Sequence, residues 1–140
     1  MSQPGSGQPI AVDASAMVAM LVDGGPAGQW AIGQCRDRRL IAPTLLSFEV
    51  ANVLRRQARA GRISIDRATA AHQAVAATRV ELWPFSLLAG RIWQLRDVLT
   101  SYHAAYCAVA ELAGAPLVTL DMKLARAVGP TAEIRAYGAN

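Results

Sequence analysis

Short apolar runs alternate along the chain with longer stretches in which apolar positions recur every three or four residues. The short runs read as strands: IAV ending at Val12, RRLIAP ending at Pro43, VELWP ended by Pro84, PLVTLD ending at Asp121, and EIRAY as a last edge strand. The longer stretches read as helices. One runs from about Ala14 until Gly24 to Pro26 breaks it, and a second passes through Trp30 to about Arg36. A third lies in TLLSFEVANVLRRQARAGR, where Leu45, Phe48, Ala51 or Asn52, and Arg55 fall at helical spacing and Gly61 closes the pattern. Ser64 or Asp66 opens a fourth that ends near Thr78. Two more are expected over Ser86 to about Asp97 and Ser101 to Ala113, the latter with Thr100 as N-cap and Gly114 as its stop; a short one starts at Met122. Strands separated by helices predict an α/β fold, a three-layer α/β/α arrangement around a central parallel sheet of about five strands.

Composition narrows the class. Apolar residues make up 53% of 140, enough for a single core, so residues 10–140 read as one domain. Met1 to Pro9, rich in Gly, Pro, Ser and Gln, reads as a flexible tail. No apolar run approaches a membrane span and the first residues lack the pattern of a secretory signal, so a cytoplasmic protein is expected, with no membrane partner. Cys35 and Cys107 have no metal-binding spacing and read as buried small apolar residues. There is no GxGxxG or GxxxxGK[ST] loop to support a nucleotide cofactor, and no nucleophile elbow. The net charge is +4, and thirteen of the fourteen cations are arginine, whose planar fork suits phosphate.

The ten carboxylates are unevenly placed. Asp13 ends the first strand, Asp121 ends the fourth, and Glu49 interrupts an apolar helix start between Phe48 and Val50. Ligands of a parallel sheet gather beyond the carboxyl ends of its strands, where both aspartates should lie. Several carboxylates together select a hard cation, Mg²⁺ or Mn²⁺, which polarises a phosphoryl oxygen and activates water. Ser15, Asn52 and Thr119, close in sequence to these carboxylates, are candidate donors to them or to substrate.

Three blocks, VDASAM, PTLLSFEVANVL and LTSYHAAYCAVAELAGAPLVTLDMKLA, together resemble the PIN domains, in particular the VapC ribonuclease toxins of type II toxin-antitoxin systems. The resemblance runs from Ile10 to about Tyr137. It implies a PIN-like fold and four acidic positions that bind Mg²⁺ or Mn²⁺ for endoribonuclease cleavage; Asp13, Glu49 and Asp121 match three of them. At the fourth, where the family pattern TxYDAxY has aspartate, this chain has His103. Imidazole is a poorer ligand than carboxylate for Mg²⁺, so a weakened or inactive ribonuclease is expected. The alternative is a non-cleaving PIN-like module that binds an antitoxin and RNA.

Arg55, Arg59 and Arg62, with Arg56 beside them, read as a solvated stripe or as a track for RNA phosphate or an acidic partner. Lys123 and Arg126 follow Asp121 and could steer a phosphate toward it. The resemblance also implies a VapB-type antitoxin laid in an apolar groove by the helices near Trp30 and Glu49, an RNA substrate such as transfer or ribosomal RNA, and a homodimer.

Overall fold

The computed structural model describes residues 7–138. Five strands form one parallel sheet: β1 (Pro9–Val12), β2 (Arg39–Pro43), β3 (Glu81–Trp83), β4 (Leu117–Thr119) and β5 (Ile134–Ala136), in the order β3-β2-β1-β4-β5. The chain builds outward from β1 to β3, then returns to place β4 on the other side of β1. That reversal is the switch point, and it opens a crevice between the carboxyl ends of β1 and β4. Val12 pairs with Val118 there, which sets the next residues of the two strands side by side.

Successive residues point to opposite faces of a strand, and Ile10, Ala11 and Val12 are all buried, as are Leu117, Val118 and Thr119. Helices therefore cover both faces, which is why these strands read as continuous apolar runs. The helices are α1 (Ala14–Val22), α2 (Pro26–Cys35), α3 (Leu46–Arg59), α4 (Ile65–Ala77), α5 (Phe85–Gln94), α6 (Ser101–Ala113) and α7 (Met122–Ala125). In α6 every residue from Ala104 to Ala110 is buried, and the run of alanines lets it lie close against β1, β2 and β4.

Local chemistry sets the boundaries. Thr100 caps α6 by accepting the His103 N–H at 3.2 Å, and Gly114 ends it in the left-handed region at φ 64°. Ser64, not Asp66, caps α4 by accepting from Arg67 N. Helix α5 starts one residue earlier than expected, after Pro84, and ends at Gln94, because the segment to Leu99 closes in turns onto Leu95 O. Pro9, expected in the tail, pairs with Arg39 in the sheet; Met1–Ser6 lie outside the described residues. Cys35 and Cys107 are free and buried, and burial pushes their thiols up to about 11 and about 12. Among the described residues no helix is long and apolar enough to cross a membrane.

Candidate active site

Asp13 is the last residue before α1 and caps it, its Oδ1 accepting the Ala16 N–H at 2.9 Å and the Ser15 hydroxyl at 2.6 Å. Its other oxygen accepts from Thr119 Oγ1, across the β1–β4 pair. The carboxyl is only 4% exposed. Burial raises its pKa, the three donors oppose that rise, and Asp121 adds to it. Ser15 and Thr119 each bridge the two strand ends. Ser15 Oγ accepts from Leu120 N at 2.9 Å, and Thr119 Oγ1 accepts from Asp121 N at 2.9 Å. Asp121 in turn caps α7 by accepting from Lys123 N.

Two helices complete the site. Glu49, on the first turn of α3, takes a 2.5 Å hydrogen bond from the Tyr106 phenol. Burial first, then the adjacent Glu49, hold that phenol far above its ordinary pKa. Three residues earlier on α6, His103 Nε2 lies 3.0 Å from Asp121 Oδ2, both side chains about one-third exposed (29% and 32%). Asp13, Ser15, Glu49, His103, Tyr106 and Asp121 thus line one cleft of about 620 Å³, together with Arg56, Arg62 and Arg67.

Other residues singled out by the sequence lie elsewhere. Asn52 is exposed, accepts from Arg55 Nε at 3.2 Å, and does not line the cleft. Lys123 and Arg126 are exposed on and beside α7 and do not line it either. Arg55 faces the groove between α3 and α4, while Arg56 faces the cleft, so the arginines do not form a single stripe. Helices α2 and α3 each pack on α1; one apolar groove runs between α3 and α4, past Leu54, Ala58 and Ile65, and a second lies by Leu45, Trp83, Phe85 and Tyr102.

Three carboxylates are the right kind of donors for a hard cation, but their arrangement is not that of a metal site. Among the described residues no three His, Cys, Asp or Glu side chains converge on one point. Asp13 is held by three protein donors, Glu49 by Tyr106, and Asp121 by His103. As arranged, these residues do not fit a divalent ion.

By sequence, the PIN domain family model matches residues 10–130, a span that holds both strand-end aspartates and the switch-point cleft. The chain belongs to the PIN-domain family. Within it the chain is similar to the VapC ribonucleases: it is 37% identical over 115 residues to VapC ribonuclease Mb0985 of Mycobacterium bovis, covering 82% of this chain and 87% of the relative. It is 37% identical over 125 residues to Ribonuclease VapC1 of Mycobacterium tuberculosis, covering 89% and 94%. In three dimensions it resembles VapC20 of Mycobacterium tuberculosis, a sarcin-ricin loop cleaving toxin, with TM-score 0.62 over 85% of this chain and 96% of that one. It also resembles VapBC2 from Rickettsia felis, solved bound to a promoter DNA fragment, with TM-score 0.64 over 92% and 98%. At 18% and 11% identity these two share the fold.

Proposed function

We propose that this chain is an endoribonuclease toxin of a type II toxin-antitoxin system, in a form whose RNA cleavage is weakened by His103. The observation that carries this is that Asp13, Glu49 and Asp121, from a strand end, a helix start and a second strand end, line one cleft with His103 against Asp121. Hydrolysis of a phosphodiester needs an activated water and compensation of the charge that develops on the phosphoryl oxygens. The cleft supplies carboxylates able to take a proton or attract a cation, and the imidazole occupies one of them. Mg²⁺ or Mn²⁺ is the proposed cofactor of the family's chemistry, and the His103–Asp121 contact is what opposes it here. Ser15 and Thr119 act as positioning residues that fix Asp13 and Asp121, and Tyr106 does the same for Glu49.

A VapB-type antitoxin is the proposed partner, seated in the apolar groove between α3 and α4. A homodimer is proposed as well, and its support is one apolar surface: Phe85 and Tyr102, each 65% exposed, line a pocket with Leu45, Trp83, Leu88 and Ile92. The cytoplasm is the proposed location.

The test is cleavage of a panel of structured RNAs, transfer and ribosomal sequences included, in Mg²⁺ and in Mn²⁺. His103→Asp is expected to cut on the order of 100-fold faster than the parent chain, and Asp13→Ala in that background to abolish cutting. Failure of both proteins to cut any RNA would favour the second reading, a non-cleaving module that binds an antitoxin, which the His103–Asp121 contact also supports.

A further inference from the structure

The cleft is a channel with two chemically different ends. Its floor follows α1 along one face, through Ala14, Val18, Ala19 and Val22, at the spacing of successive helical turns. One wall follows α3 through Glu49, Val53, Arg56 and Gln57, again one face read along the helix. Both helices therefore run lengthwise beside the channel, with their N-termini at the carboxylates. At the far end three arginines face one carboxylate: Arg67 donates to Val22 O, the last carbonyl of α1, Arg62 enters from the turn after α3, Arg56 comes from α3 itself, and Asp23 has one oxygen taken by the Gly25 N–H. Arg56 is two helical turns beyond Glu49, about 10 Å at 1.5 Å per residue.

Arg56 and Arg62 are exposed, and among the described residues neither guanidinium enters a hydrogen bond or an ion pair. A cation near a helix C-terminus is ordinarily explained by the helix dipole, and that accounts for an arginine at position 56. It does not account for two unpaired guanidinium groups turned into a channel whose other end is acidic. An anion entering that channel meets repulsion from the carboxylates at its near end. Cations farther along the same path offset it. We propose that Arg56 and Arg62 form a phosphate subsite that grips the RNA backbone one or more nucleotides from the carboxylates, setting which phosphodiester reaches them. The separation excludes one phosphate touching both ends. The proposal rests on the ribonuclease reading and names where the strand is held.

The test uses the full chain and a labelled single-stranded RNA in EDTA, which withholds the divalent ion that cleavage is proposed to need, so binding is read without cutting and the weakened chemistry does not matter. Affinity is followed by fluorescence anisotropy over a range of salt. Each phosphate neutralised on a single strand contributes about 0.7 to the slope of log affinity against log salt. Arg56→Gln with Arg62→Gln is expected to lower that slope by about 0.7 for each arginine. Arg55→Gln with Arg59→Gln, the same charge change on α3 away from the channel, is expected to lower it by less than half as much. Circular dichroism melts confirm that all variants fold. Equal losses from both pairs, or none from the inner pair while RNA still binds, overturn the subsite and leave the ribonuclease reading standing. No RNA binding by the parent chain sinks both. Binding of a polyglutamate peptide through Arg56 and Arg62, with RNA indifferent to them, overturns the subsite in favour of an acidic protein partner.

Discussion

The Tyr106 phenol donates to Glu49 Oε1 across 2.5 Å, tying the central helix α6 to the first turn of α3. The ring is 2% exposed, so this hydroxyl reaches the cleft from inside the core. Without it the Glu49 carboxylate has no hydrogen-bond donor among the described residues and is free to swing. Tyr106→Phe keeps the packed ring and removes only the donor. It is expected to cost about 1–2 kcal/mol in urea unfolding and, in the His103→Asp background, to lower RNA cleavage. Unchanged cleavage in that background would show that Glu49 needs no positioning.

Thr119 is fully buried, donates to Asp13 and accepts from Asp121 N, so one hydroxyl fixes both strand-end aspartates. Thr119→Val preserves shape and leaves a buried carboxylate oxygen and a backbone N–H unmatched. A loss of about 2–4 kcal/mol is expected, with Thr119→Ser recovering most of it. Chemical denaturation of the three proteins checks this.

Glu111 on α6 receives Arg91 of α5 through two bonds, at 2.6 and 3.1 Å, and the Thr131 N–H at 2.7 Å. Desolvation pushes its carboxyl up, but these donors outweigh it and hold the pKa below 4.5. A depressed folded-state pKa means the contribution is complete above the unfolded value of 4.5 and is lost as pH falls through the lower folded value. Glu111→Gln is therefore expected to cost about 1–3 kcal/mol at neutral pH, and the gap to the parent chain should narrow as the pH drops below 4.5. Thermal melts across that range decide it; a constant gap would contradict the assignment.

Gly28 is where α2 presses on the end of α1. A Cβ there would lie 1.8 Å from the Asp23 carbonyl oxygen and 2.8 Å from that of Ala19, both backbone atoms. Gly28→Ala must part the two helices, and about 3 kcal/mol or more of stability should be lost. Gly33→Ala, with open space at its Cβ, is the matched control and should be neutral or stabilising. Since α1 floors the cleft, Gly28→Ala should also weaken RNA binding at temperatures where it remains folded.

If His103 occupies Asp121 in place of an ion, aspartate at 103 should strengthen divalent-ion binding. Titration calorimetry with Mn²⁺ is expected to show at least about a tenfold gain for His103→Asp over the parent chain. Equal affinities would mean that the imidazole is no obstacle.

The strands, helices and strand-end aspartates were legible because each rests on local signals: apolar runs, capping side chains and a left-handed glycine. What joins the site was less so. Arg62 follows Gly61, after α3 has ended at Arg59, so helical spacing does not govern where it points. Asn52 sits three residues from Glu49, yet it turns outward to Arg55. Tyr106 reads as a core anchor, which it is; only its i+3 relation to His103 hints that its hydroxyl faces the same cleft. Lys123 and Arg126 are near Asp121 in sequence, but the tight cap of α7 directs them elsewhere.

The reversal of strand order also governs when the site comes into being. Asp13 is made early, but the hydroxyl that fixes it, on Thr119, lies 106 positions later. A ribosome adding roughly 5–20 residues each second needs several seconds to cover that interval, and the exit tunnel delays the meeting further. Until β4 emerges and docks beside β1, the crevice does not exist. In a chain built this way the site is completed only after Thr119 has left the ribosome, so the polypeptide carries Asp13 through most of the fold's synthesis without the partner that fixes it.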